Sequence, residues 1–127
     1  MNIKSTFVFF GGEPLAVPTL ETLYKKGLTP SLIISNPDKP KGRNLQITPP
    51  PTAIWAKEHN VPLIQPEKLK DLEINFPTDL IVVVSYGKII PKEILNHSKL
   101  GAINIHPSIL PRYRGPSPIV SSILNGD

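Results

Sequence analysis

The run LIVVVS at residues 80–85 constrains the fold more than any other stretch of this chain. It is apolar without a break over five positions and rich in β-branched side chains, which suit a pleated surface. A strand with one wet face alternates apolar and polar residues. A continuous run instead predicts a central strand covered on both faces, the usual situation in a parallel sheet. Parallel neighbours require crossover connections, and the rest of the sequence offers them. Apolar runs of strand length stand at residues 6–10 (TFVFF), 31–35 (SLIIS), 62–65 and 101–106. Between them, helices are predicted over 17–26, 52–60 and 91–96, with a helical turn over 67–72. The alternation predicts a doubly wound α/β domain with a mostly parallel, Rossmann-like sheet.

Local signals sharpen several of these elements. In 17–26, Leu20, Leu23 and Tyr24 share one face, Pro18 sits near the start and Gly27 closes the end. Trp55 is expected in the core or at a helix–loop contact, and His59 and His97 at helix ends, where the dipole favours them. Residues 36–51 are polar, basic and proline-rich, and are predicted to be a long loop, a kind of segment that often carries function. Ser117 and Pro118 resemble an N-cap and first helical residue, predicting a helix to about residue 125. The 16 prolines lie between apolar runs as punctuation. With 127 residues, a formal charge of +4 and no cysteine, the chain fits one globular domain without disulfides or thiolate chemistry. No stretch is long and apolar enough to span a bilayer, and the N-terminus lacks signal- and transit-peptide features, so a cytoplasmic protein is expected. No His or acidic pair has metal spacing, so no metal site is expected.

The run Gly101-Ala102-Ile103 leads into Asn104 and His106, two residues apart. On a strand such a pair faces one side, at the carboxyl end where open α/β sheets bind ligands. An amide there can donate to an oxygen that becomes negative, and an imidazole can donate or move a proton near neutral pH. Taken alone, an Asn-x-His pair commonly does no more than satisfy loop backbone. No Ser or Cys stands as a triad nucleophile, so direct attack by an acceptor on a carbonyl donor fits better than a covalent enzyme intermediate. Downstream, Ser108, Ile109, Leu110 and Pro111 place apolar walls beside exposed backbone, suited to a flat heteroaromatic edge. Arg112 and Arg114 flank Tyr113, an arrangement suited to phosphate or carboxylate.

Three segments, in order, carry a resemblance. The string NIHPSILPRYRGPSPI at 104–119 resembles the active-site signature of the folate-dependent formyltransferases. The block VVVSYGKIIP at 82–91 is similar to that family's VVxAYGxILP, with Ser85 where alanine is common. The loop PDKPKGR at 37–43 resembles PDxPxGR. The start, Gly11-Gly12-Glu13-Pro14, is a looser version of the family's GTPxFA turn. The continuation RGPSPI favours the branch acting on aminoacylated tRNA over the glycinamide ribonucleotide branch.

The resemblance implies transfer of a formyl group from 10-formyltetrahydrofolate to the α-amine of initiator methionyl-tRNA, by a monomeric enzyme. It implies that Asn104 and His106 are two of a catalytic Asn/His/Asp set. It places Ser108, Ile109, Leu110, Pro111, Tyr86 and Gly87 against the folate, and Arg43, Lys39 and Lys41 against tRNA. Asp127 matches a Gly-Asp pair at a helix end, so the catalytic aspartate is expected beyond residue 127. Residues 1–127 are then the first part of a catalytic domain, lacking the C-terminal β-barrel that binds tRNA, with little activity alone expected. Two alternatives stand: a formyltransferase for a sugar nucleotide or other amine, and a non-catalytic remnant that binds folate or RNA.

Overall fold

The computed structural model describes residues 6–42, 44–75, 77–105 and 121–123. Its centre is the pair β1 (Phe7–Gly11) and β6 (Leu80–Val84), parallel and in register from Phe7 opposite Leu80 to Gly11 opposite Val84. On one side of β1 lie β2 (Leu32–Ile34) and β5 (Leu63–Ile64), both parallel. On the other side of β6 lies β7 (Ala102–Ile105), also parallel. With β8 (Ser121–Ile123) beyond β7, the sheet order is β5-β2-β1-β6-β7-β8.

Alternation along each strand divides the core in two. Val8, Phe10, Ile81, Val83 and Ala102 face one layer, with Ile94 from α3 (Lys92–Leu95) and Leu69 from a 3-10 turn (Leu69–Asp71). Phe7, Phe9, Val82 and Val84 face the other, with Leu20 from α1 (Ala16–Lys25) and Trp55 from α2 (Pro51–Glu58). The β6 run therefore has covered faces on both sides, as its composition predicts, and the fold is doubly wound.

Helix α1 ends as its glycine requires. Gly27 sits at φ 82°, and the amides of Gly27 and Leu28 donate to the carbonyls of Tyr24 and Leu23. That is the paired closure of a helix by a left-handed residue. Trp55 donates its Nε1 proton to a Glu21 carboxylate oxygen at 2.6 Å, tying α2 to α1. His59, at the C-cap of α2, stacks on Trp55 with ring centroids 3.8 Å apart.

Two expectations are corrected. The segment 36–51 is not wholly a loop: β3 (Lys39–Lys41) and β4 (Gln46–Thr48) form an antiparallel hairpin within it. Gly42 at φ 80° and Leu45 at φ 51° supply its turn, and Pro40 is tolerated because a two-stranded ribbon leaves each strand a free edge. The helix expected over 117–125 gives way, within its described part, to β8 (Ser121–Ile123), antiparallel to β7. Pairing there satisfies the open backbone edge of β7, a demand that outweighs local helix signals. The sheet is thus five parallel strands with one antiparallel edge.

Candidate active-site cleft

The chain runs outward from β1 to β2 and β5, then returns to β6 and continues to β7. This reversal between β1 and β6 is the position where open α/β sheets form a crevice at their carboxyl ends. A cleft of about 480 Å³ opens there. Its floor comes from the ends of β1, β2 and β6: Gly12, Asn36, Ser85 and Tyr86. The β3–β4 hairpin and the prolines leading into α2 form the outer wall, with Lys39 on it.

The floor is built by close backbone approach. The Gly12 amide donates to the Val84 carbonyl at 3.0 Å, and the Gly12 carbonyl accepts from Ala16 at 3.1 Å to begin α1. A Cβ at Gly12 would collide with the Ser85 carbonyl oxygen. Ser85 itself is left-handed at φ 53°, an unfavourable conformation for a residue with a side chain. Gly87 follows at φ 84°, so the chain folds sharply away from β6 and leaves Ser85 and Tyr86 on the cleft. Tyr86 packs edge-on to Phe10, with centroids 5.4 Å apart. Burial pushes its hydroxyl up to about 12, so it stays protonated and able to donate at neutral pH.

Glu13 braces the two walls. One carboxylate oxygen accepts from the Thr52 amide at 3.2 Å and from the Thr52 hydroxyl at 2.7 Å. Helix α2 has no cap from its own N-cap residue, Pro50, so this distant carboxylate satisfies an orphan amide of its first turn. Thr52 is fully buried. Glu13→Leu therefore strands a buried hydroxyl and amide together, and is expected to destabilise the chain by about 2 kcal/mol. Urea unfolding measures this directly; an unchanged midpoint would mean that water replaces the carboxylate at no loss.

The sequence-predicted residues divide into three groups. Tyr86, Gly87 and Lys39 line the cleft. Asn104 is half-buried near the carboxyl end of β7, opposite Val83 on β6 and Ser122 on β8, and is not among the cleft's described lining. Lys41 lies in β3, paired with Gln46. Arg43, His106, Ser108, Ile109, Leu110 and Pro111 lie outside the described residues. Sequence reasoning missed Glu13, Asn36 and Thr52. For Asn36 a signal existed: it is a polar residue just after a buried strand, where crevice side chains arise. Among the described residues, no group of three His, Cys, Asp or Glu side chains could hold a metal. No described helix is long and apolar enough to cross a membrane.

Comparison with known proteins places this architecture. The family model described as formyl transferase matches residues 4–127. A methionyl-tRNA formyltransferase of Syntrophus aciditrophicus is 42% identical over 129 residues, covering 98% of this chain and 41% of that protein. A methionyl-tRNA formyltransferase of Halalkalibacterium halodurans is 42% identical over 125 residues, covering 94% of this chain and 39% of that protein. The chain thus spans about two fifths of the length of these relatives. Among solved structures, glycinamide ribonucleotide transformylase 1 from Geobacillus kaustophilus superposes with a TM-score of 0.55 at 18% identity, covering 90% of this chain and 64% of that one. That likeness is one of fold. With the family model spanning nearly all of the sequence, the chain belongs to the formyl transferase family.

Proposed function

We propose that this chain forms the donor and acceptor crevice of an enzyme that moves a formyl group from 10-formyltetrahydrofolate to the α-amine of initiator methionyl-tRNA. The observation that carries the reading is positional. The cleft at the β1/β6 switch point and Asn104 on β7 lie at the same, carboxyl edge of one sheet, in a chain of the formyl transferase family. The names of the 42%-identical relatives favour methionyl-tRNA as acceptor.

In this reading the cleft seats the aminoacyl end of the acceptor. The folate lies toward β7, against Tyr86, Gly87 and Ser108 to Pro111, and supplies the formyl group. The Asn104 amide donates to the formyl oxygen as it gains negative charge, which needs a fixed donor and no protein nucleophile. His106 donates or moves a proton beside it. The hairpin extends from the cleft wall; Lys39 and Lys41 of β3, with Arg43 close by in sequence, suit phosphate contact with the acceptor stem. A catalytic aspartate and a β-barrel tRNA-binding domain belong to the remainder of the full-length protein, which acts as a cytoplasmic monomer. The test is transfer of labelled formyl from 10-formyltetrahydrofolate by a full-length protein carrying these residues. Formylation of methionyl-tRNA at least tenfold faster than of a sugar-nucleotide amine supports the reading, and the reverse preference overturns it.

A further inference from the structure

Among the described residues, three buried side-chain oxygens have no hydrogen-bond partner: Asn36 Oδ1, Ser85 Oγ and the Tyr86 hydroxyl. Buried polar atoms are nearly always paired, because an unpaired one loses its interaction with water and gains nothing. Here all three belong to residues that line one cleft. Tyr86 is packed into the sheet core, but Asn36 and Ser85 are crevice residues just past the ends of β2 and β6, on either side of β1.

The Asn36 side chain is anchored. Its amide nitrogen donates to the Tyr86 carbonyl at 3.4 Å, which fixes which end of the amide remains. Its backbone carbonyl accepts from Gln65 Nε2 at 3.0 Å and from Ser35 Oγ at 3.3 Å, so the residue is held from three sides. What remains is an oriented carbonyl oxygen, an acceptor only. Ser85 adds a hydroxyl that can donate, held by a left-handed backbone pressed against Gly12. An acceptor and a donor lining one cleft are together neutral, and the acceptor repels anions, so phosphate and carboxylate are poor matches. A ligand hydroxyl next to a carbonyl is a good one.

Resting on the acceptor reading of the cleft, we infer that Asn36 and Ser85 recognise the terminal ribose of the aminoacyl acceptor. Asn36 Oδ1 accepts a hydrogen bond from the free 2′-hydroxyl, and the Ser85 hydroxyl donates to the neighbouring aminoacyl carbonyl. The pair makes the cleft selective for a ribose-linked amino acid over the same amino acid on a deoxyribose. Ser85 stands where alanine is common in the family's block, and alanine could not make this contact.

The test is calorimetric titration of a full-length protein carrying this chain with 3′-deoxy-3′-(methionylamido)adenosine and with the analogue that also lacks the 2′-hydroxyl. The wild type is expected to bind the first about tenfold more tightly, the value of one well-made hydrogen bond. Asn36→Ala is expected to weaken the first analogue by a similar factor and to bind both alike. Ser85→Ala is expected to weaken both by about threefold and to keep the preference. Cooperative urea unfolding checks that each variant is folded, and should Asn36→Ala fail to fold, the wild-type comparison decides alone. Wild-type binding of both analogues within twofold overturns the inference and leaves the acceptor reading standing. So does a preference that survives in Asn36→Ala. Binding of neither analogue by the folded full-length protein overturns the acceptor reading of the cleft, and the inference with it.

Discussion

Asn104→Ala, made in a full-length protein carrying this chain, is expected to lower kcat about 300-fold while folate binding changes less than threefold. The two effects separate because of when the amide acts. A hydrogen bond to the formyl oxygen is weak while that oxygen is a neutral carbonyl and strengthens as it becomes negative, so its loss falls on the transition state. The position suits the task. Asn104 is near the end of β7, flanked by β6 and β8, so its backbone is fixed on both sides and the amide needs little reorganisation. The substitution removes a half-buried side chain from a strand rather than a core residue, so the fold is expected to survive. Single-turnover kinetics with methionyl-tRNA, alongside folate titration, make the measurement. Equal losses in turnover and folate affinity would mark Asn104 as a binding residue only, and unchanged turnover would remove it from the chemistry.

Much of the fold was readable because burial writes itself into composition. The LIVVV strand, covered on both faces, had to be uninterruptedly apolar, and TFVFF beside it obeyed the same demand. The Gly27 stop was readable because only glycine takes φ 82° without strain. The hairpin inside 36–51 was not. Its strands are three residues each, one holds a proline, and the turn uses Leu45 at positive φ, so no local signal separates it from loop. Strand β8 was missed for another reason. Its pairing is set by the vacant edge of β7, a tertiary circumstance that serine and proline at a helix-like start cannot report. The Asn104 reading came from two-residue spacing and from resemblance. The Glu13–Thr52 brace spans 39 positions and depends on where two chain segments meet, which spacing does not encode.

Gly12→Val is expected to be the most damaging single substitution at the cleft, destabilising the chain by about 3 kcal/mol or more. The reason is the identity of the obstacle. A side chain at Gly12 meets the backbone carbonyl of Ser85, with its oxygen overlapped and its carbon 3.2 Å away. Flexible side chains yield to such contacts, but this carbonyl belongs to the residue that closes β6 in a left-handed conformation. Moving it would also disturb the Gly12 amide, bonded at 3.0 Å to Val84, and thus the register of the two central strands. Gly42→Val makes the control. Gly42 also has positive φ, but a Cβ there meets nothing within 4 Å, so only backbone strain of about 1 kcal/mol is expected. Urea midpoints for the two variants, with Trp55 emission as the reporter, compare them directly. If Gly12→Val unfolds no earlier than Gly42→Val, the tight seam between β1 and β6 is not what holds the cleft floor, and Ser85 is free to shift with its ligand.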